Sequence, residues 1–144
     1  MLTSEILRIK GTTLFTCPPH EALSEALATM VEHDIGSLVV MNRGKLAGML
    51  TFREVLRAIH ERRGAVESVK VSDVMVKDPK FVGADMDVDA LRRTMIDTHV
   101  RYMPVMDGTM LAGVLSFHDV ARAMLEEQSF ENKMLKAYIK DWPQ

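Results

Sequence analysis

The chain has 144 residues, of which 47% are hydrophobic and 26% are charged, and its formal net charge is −2. This length allows one domain with a sizeable core, and the charge excludes a global positive field that would attract nucleic acid or acidic membranes. No apolar run approaches the roughly 18 residues of a membrane span, and residues 1–10 lack the pattern of a signal peptide. The single cysteine excludes an internal disulfide and fits a reducing compartment, so we expect a cytoplasmic protein.

The first half of the chain predicts the order helix, strand, helix, strand, strand, helix. Thr3 or Ser4 is placed to cap a short opening helix, and Pro18 and Pro19 stop the strand before them. Apolar residues recur at helical spacing in the second helix. The next two segments are apolar on both faces, which indicates strands buried on both sides. These elements are predicted over residues 3–9, 13–16, 22–31, 37–41, 45–50 and 52–63.

The second half repeats this order after a short, largely polar linker, residues 64–70. Asp107-Gly108 is a strong hairpin signal between two strands. Pro104 belongs at a strand edge or start, because it has no N–H to donate to a neighbouring strand. The corresponding elements are predicted over residues 71–75, 80–82, 88–96, 102–115 (a strand pair) and 117–128.

An internal repeat explains this doubled order. Residues 29–59 align with residues 94–124 at a constant offset of 65 without a gap, and the opening helices correspond at an offset of 68. Sequence repeats of this kind define the architecture. We therefore divide the chain into a first repeat, residues 1–64, a second repeat, residues 65–128, and a tail, residues 129–144.

The tail predicts an amphipathic helix, with apolar residues at helical spacing. It either continues the last helix and packs back on its own domain, or it buries its apolar stripe against a second subunit. Periodicity alone does not name the covering surface. The stripe consists of Met134, Leu135, Tyr138, Ile139 and Trp142.

The chain resembles the CBS-domain family in its two-repeat form, called a Bateman module. The residues that carry the resemblance are the Ser-Asp-Val-Met segment at 72–75, the Val-Arg-Tyr-Met-Pro-Val segment at 100–105, and the strand-to-helix junctions at 48–55 and 113–120. The resemblance implies an α/β fold of tandem βαββα units related by pseudo-twofold symmetry, followed here by the helical tail. It also implies homodimers of such pairs, and adenosine-containing ligands such as AMP, ADP, ATP or NAD bound in clefts between the repeats.

The two junctions, Thr51-x-x-Glu54 and Ser116-x-x-Asp119, admit two interpretations. In a capping box, the hydroxyl and the acid three residues later satisfy backbone N–H groups at a helix start. The same carboxylate can instead accept ribose hydroxyls, and the helix N-terminus favours a phosphate. The family pattern normally has aspartate at this position. We therefore expect Asp119 to be the main ribose anchor and its cleft to bind more tightly than the cleft of Glu54.

The resemblance also implies which residues line each cleft, with a base-binding wall from one repeat and the acid from the other. The first cleft would consist of Thr16, Pro19, Ile35, Gly36, Ser37, Val114, Ser116, His118 and Asp119. The second cleft would consist of Val82, Arg101, Tyr102, Met103, Pro104, Met49, Thr51, Arg53 and Glu54. His99 is a further candidate for a phosphate contact.

These features favour a regulatory nucleotide-binding module that signals its ligand state to an unidentified partner by a conformational change. The alternatives are a nucleic-acid-binding or redox-partner-regulating member of the same family, or a small enzyme. The histidines are dispersed without metal-ligand spacing, so we expect no metal, and no catalytic motif is present. Basic residues form only isolated pairs, which makes nucleic acid an unfavoured partner. Cys17 is either a redox sensor or, as is more common for a lone cysteine, an inert small hydrophobe.

Overall fold

The computed structural model describes residues 1–11 and 14–140. Within these residues the elements follow the doubled order that the repeat predicts. The first repeat contains α1 (Thr3–Lys10), β1 (Thr16–Cys17), α2 (Leu23–Glu32), β2 (Ser37–Asn42), β3 (Lys45–Thr51) and α3 (Phe52–Glu61). The second contains α4 (Val71–Val74), β4 (Val76–Lys77), β5 (Val82–Gly83), α5 (Val88–Thr98), β6 (Tyr102–Asp107), β7 (Met110–Ser116) and α6 (Phe117–Lys140).

The structure has two sheets, each built around the antiparallel strand pair of one repeat, and β4 of the second repeat joins the sheet of the first. The first sheet has the order β1-β2-β3-β4 and the second has the order β5-β6-β7, with the short first strand of each parallel to its neighbour. Leu38 pairs with Leu50, and Met103 pairs with Leu115, and all four side chains are fully buried. These pairs show why the strands are apolar: helices and loops cover them. The predicted α/β class and buried strand pairs are confirmed.

The opening segments of the two repeats are exchanged. Ile6 and Leu7 of α1 pack into the hydrophobic core of the second repeat, and the Thr3 N–H donates to the Met86 carbonyl over 2.8 Å. Conversely, Val69 and Val71 belong to the core of the first repeat. The helical pattern of these segments predicts their local structure correctly, but their packing partner lies in the other half of the chain.

Several predicted boundaries are wrong. The predicted strand at 13–16 is observed as β1 at Thr16–Cys17, and its counterpart at 80–82 is observed as β5 at Val82–Gly83; Thr13 lies outside the described residues. β4 was not predicted as a strand, because its two residues are extended only through pairing with Gly48 and Met49 of β3.

The last helix runs without interruption from Phe117 to Lys140, about 36 Å at the usual rise per residue. The tail therefore continues α6, which agrees with the first part of one interpretation. The second part of that interpretation, that the tail packs back on its own domain, does not hold. All side chains from Gln128 to Lys140 are exposed, including Met134, Leu135, Tyr138 and Ile139. Trp142 lies outside the described residues. None of the described helices combines the length and apolarity needed to cross a membrane.

Candidate functional site

The junction between β3 and α3 forms a capping box around Glu54. Its Oε1 accepts hydrogen bonds from both the backbone N–H and the hydroxyl of Thr51, each over 2.8 Å. The Thr51 hydroxyl oxygen in turn accepts the Arg53 N–H over 3.3 Å. Glu54 is only 8% exposed, so the carboxylate is fixed at the start of the helix. Both contacts use one oxygen, and within the described residues Oε2 accepts no hydrogen bond.

The junction between β7 and α6 has the same arrangement around Asp119, with an additional cation. Oδ2 accepts the Ser116 N–H over 2.8 Å, and the Asp119 N–H donates to the Ser116 hydroxyl over 3.0 Å. Lys10, at the end of α1, donates to the same Oδ2 over 2.7 Å and to the Val114 carbonyl over 2.8 Å. Burial raises the pKa of Asp119, but the hydrogen bonds from Lys10 and Ser116 outweigh it, and the net pKa lies below the usual value.

A cavity of about 790 Å³ opens at the Glu54 junction, between the two repeats. Six residues of the predicted second cleft line it, namely Met49, Thr51, Arg53, Glu54, Arg101 and Tyr102. Val82, Met103 and Pro104 are not among its lining residues, because these strand residues are buried in the second repeat. The cleft is thus formed by the β3–α3 junction together with residues from 76–80 and 97–102, rather than by the strand interiors.

Sequence reasoning missed most of the remaining wall. His99 was expected near a phosphate, but the other lining residues were not assigned: Phe52, Leu56, Val76, Asp78, Pro79, Lys80, Asp97, Thr98 and Val100. The β4 pairing explains part of this set, because it places Val76 beside Met49 and carries Asp78 to Lys80 along the cavity. No local pattern in the sequence indicated that pairing.

The predicted first cleft is brought together only in part. Val114 and Asp119 accept hydrogen bonds from the Lys10 ammonium, and the Ser116 N–H donates to the same Asp119 oxygen, while His118 is exposed in the first turn of α6. Three residues of the opposite wall lie in the first repeat: Thr16 in β1, Pro19 whose carbonyl accepts the Ser72 N–H, and Ile35 packed on the first core.

Gly36 and Ser37 lie at the start of β2. Ser37 is buried and pairs with Thr51, and the Gly36 carbonyl accepts the Phe52 N–H over 3.3 Å. A Cβ at Gly36 would overlap the Tyr102 hydroxyl and the Phe52 ring. Since Tyr102 and Phe52 line the cavity, Gly36 borders the Glu54 cleft, although it was assigned to the other one.

Cys17 is a buried thiol near the Glu21 carboxylate. It is 4% exposed, and burial, together with the nearby Glu21 carboxylate, raises its pKa to about 12. The thiolate is the reactive form. We therefore expect native protein at pH 8 to resist labelling by Ellman's reagent, whereas denatured protein reacts promptly at its one thiol. Rapid labelling of the native protein would contradict this expectation and restore the redox-sensor interpretation.

Metal binding finds no support in clusters of side chains. Among residues 1–11 and 14–140, no group of three or more His, Cys, Asp or Glu side chains is placed to hold a metal ion. The cavity instead combines three carboxylates, three basic side chains and apolar surfaces. This mixture is typical of a site for an organic ligand.

Comparison with known proteins agrees with the fold and the repeat. The model of the CBS domain matches the chain twice, over residues 8–61 and 71–126. This chain belongs to the CBS-domain family. The mitochondrial CBS domain-containing protein CBSX3 of Arabidopsis thaliana is 31% identical over 145 residues, which cover 94% of this chain and 70% of that protein.

Two similar solved structures are complexes with adenosine compounds. The CBS domain pair of protein MJ0100, in complex with 5′-methylthioadenosine and S-adenosyl-L-methionine, is 20% identical with a TM-score of 0.78, covering 88% of this chain and 98% of that chain. CBSX2 in complex with AMP is 22% identical with a TM-score of 0.73, covering 88% of this chain and 98% of that chain. At these identities the likeness establishes the shared fold.

Proposed function

We propose that this protein is a regulatory module that binds an adenosine-containing ligand in the cavity at Glu54. The observation that carries the proposal is the cavity itself, which combines a fixed carboxylate at a helix start with apolar walls, three basic side chains and the further carboxylates of Asp78 and Asp97. Its volume of about 790 Å³ lies within the range of small-molecule sites. The ligands of the CBS pairs MJ0100 and CBSX2 share an adenosine group, which supports this ligand class.

The carboxylate and the helix start are suited to a ribose and a phosphate. Glu54 Oε2 is available to accept ribose hydroxyls, because both Thr51 contacts use Oε1. Arg53, Lys80 and Arg101 place positive side chains around the cavity, and such groups form strong charge-assisted hydrogen bonds with phosphate. We assign these three side chains, with His99, to the phosphate of AMP, ADP, ATP or NAD.

The base has an apolar surface available. Met49, Val76 and Tyr102 line the cavity, and an aromatic ring can stack on adenine. Gly36 preserves the position of Tyr102, since a side chain there would displace the tyrosine hydroxyl.

A regulatory role is proposed because the two walls of the cavity belong to different repeats. The Met49 to Glu54 wall belongs to the first repeat, and the Asp97 to Tyr102 wall belongs to the second. A ligand that contacts both walls stabilises one relative position of the repeats, and it shifts the equilibrium by its differential affinity for the two states. A partner protein that binds one state then senses the ligand. Catalysis has no part in this proposal, and the cytoplasm remains the predicted compartment.

A thermal-shift screen against AMP, ADP, ATP, NAD, NADH and S-adenosylmethionine tests the proposed ligand class. A ligand at about 100 times its dissociation constant adds roughly 2.7 kcal/mol of stability, which corresponds to a rise in melting temperature of about 5–10 °C for a chain of this size. The absence of a shift with every compound at millimolar concentration would contradict the proposal.

We further propose that two copies form a homodimer through α3 and α6. Phe52, Leu56 and Ile59 form an exposed apolar row along α3, and the tail of α6 exposes Phe130 and Leu135. An isolated helical extension is marginally stable in water without a packing partner. A second copy of this surface would cover both rows in a symmetric interface.

Light scattering at micromolar concentration is expected to give the mass of a dimer. Replacing both Leu135 and Ile139 by alanine should weaken the dimer, whereas replacing the charged Lys133 and Lys136 by alanine should leave it unchanged. A monomeric wild-type protein would contradict the homodimer. A dimer unaffected by deletion of residues 131–144 would refute only the contribution of the tail.

A further inference from the structure

Lys10 occupies the groups at which the Asp119 cleft would receive its ligand. Its ammonium donates to Asp119 Oδ2 over 2.7 Å and to the Val114 carbonyl over 2.8 Å. The carboxylate is the predicted ribose anchor, and Val114 belongs to the predicted wall around the base. The two acceptors are therefore already engaged by a side chain of the same protein.

The position of Lys10 is set by the packing of α1. Leu7 lies against Gly113, where an added Cβ would come within 2.7 Å of Leu7 Cδ2. Ile6, which is 2% exposed, is a member of the second core. Lys10 is the last residue of this helix, one turn beyond Leu7, and Gly11 follows with a positive φ of 106°. The backbone of Lys10 is thus placed beside the cleft by a packed helix, and the side chain reaches the two acceptors from there.

The equivalent residue at the other cleft has the opposite charge. Leu7 corresponds to Met75 at the offset of 68, and Met75 packs on Gly48 as Leu7 packs on Gly113. At the same offset, Lys10 corresponds to Asp78, which lines the cavity at Glu54. An aspartate cannot form an ion pair with Glu54, because both side chains are negative. The exchange of the opening segments therefore places a cation on one acid and a carboxylate near the other.

We propose that Lys10 is a built-in occupant of the Asp119 cleft, and that it restricts the free protein to one adenosine site per chain, at Glu54. This proposal rests on the proposed function. A ligand that binds in the Asp119 cleft must compete with the ammonium for Asp119 Oδ2 and for the Val114 carbonyl, while Asp119 Oδ1 receives no hydrogen bond from the described residues. Lys10 thereby makes the two clefts non-equivalent as binding sites, although the repeats have similar sequences. It also links occupancy of the Asp119 cleft to the position of α1.

Calorimetric titration with AMP tests the proposal on the wild type, Lys10→Met and Lys10→Arg. Methionine keeps most of the length and the unbranched apolar character of the lysine stem but removes the charge, whereas arginine keeps the charge. The wild type and Lys10→Arg are expected to bind one AMP per chain, and Lys10→Met two. The new site should be at least about tenfold tighter than any second binding event in the wild type, because displacement of charge-assisted hydrogen bonds is no longer required. Lys45→Met, at the exposed start of β3, is the matched control and should behave as the wild type.

Two further results locate the new site. Asp119→Asn in the Lys10→Met background should return the stoichiometry to one. Circular dichroism of each variant verifies that it is folded. Equal stoichiometry and affinity for the wild type and Lys10→Met would overturn the role of Lys10, as would weaker binding by Lys10→Met, which would make Lys10 a ligand contact. Failure of AMP to bind any of the proteins would overturn the proposed adenosine site together with this inference.

Discussion

Gly48→Ala is expected to lower the free energy of unfolding by about 1–3 kcal/mol, the usual cost of overpacking a core. A Cβ at Gly48 would lie 2.6 Å from Met75 Sδ and 2.8 Å from the Val76 carbonyl oxygen. The sulfur can move, but the carbonyl belongs to the backbone of β4, which pairs with β3 at this point. Alanine must therefore separate the two strands or distort one of them. Denaturant unfolding followed by circular dichroism measures the change.

Gly113→Ala is the matched comparison, because it is the same residue in the second repeat. There the three atoms nearest to the added Cβ all belong to the Leu7 side chain, which can rotate, so we expect a smaller loss of stability. In addition, replacing glycine by alanine in a strand ordinarily stabilises the folded protein by roughly 0.5–1 kcal/mol, which offsets part of the loss. A Gly48→Ala variant as stable as the wild type would contradict the observed packing of β4 on β3.

Glu54→Gln is expected to weaken AMP binding by about ten- to hundredfold. Hydrogen bonds to a charged group contribute roughly 1.5–3 kcal/mol, and the amide retains the shape but not the charge. Glutamine can also take the acidic position of a capping box, so the helix start should survive. Calorimetric titration measures the affinity, and unfolding of the unliganded variant measures any loss of the cap, for which about 1 kcal/mol is typical.

Asp119→Asn is the matched control in the wild-type background. Because Lys10 covers Asp119 in the free protein, this variant should leave the affinity of the Glu54 site unchanged. The sequence alone predicted the reverse order, with Asp119 as the main anchor, since aspartate is the residue the family normally has. A loss of affinity for Asp119→Asn that exceeds the loss for Glu54→Gln would support that earlier expectation.

The sequence predicts the fold well because each element is specified by residues close together in the chain, and because the same pattern occurs twice. Apolar strands such as 37–41, and the helix starts at Thr51 and Ser116, are specified by residues that are neighbours in the chain. The same patterns recur in both halves, so each half supports the assignment of the other. Family membership follows from these segments, and the matches over residues 8–61 and 71–126 agree with it.

The exchanged opening segments were not predictable in the same way. The pattern of α1 marks an apolar face but does not say which core covers it. One signal was present in the sequence, namely a glycine inside a strand of each repeat, Gly48 and Gly113, since such a glycine often marks the close approach of another segment. The approaching residues are Met75 and Leu7, each from the opposite repeat.

The difference between the two clefts depends on the same exchange. From the sequence alone, Asp119 and Glu54 differ by one methylene group. This difference suggests that the Asp119 cleft binds the ligand more tightly than the Glu54 cleft. In the folded protein the neighbouring charges differ as well: Lys10 forms an ion pair with Asp119, whereas Glu54, whose cavity also holds cationic side chains, has Asp78 in place of Lys10. Both residues are distant in sequence from the acids they approach, so no local motif contains them.

The structure of the protein crystallised with saturating AMP tests the central claim most directly. The account predicts one AMP per chain in the cavity between the repeats, with a ribose hydroxyl within hydrogen-bond distance of Glu54 Oε2. The phosphate should lie near Arg53, Lys80 or Arg101, and Lys10 should remain on Asp119. An empty cavity, or AMP bound only outside it, would contradict the account.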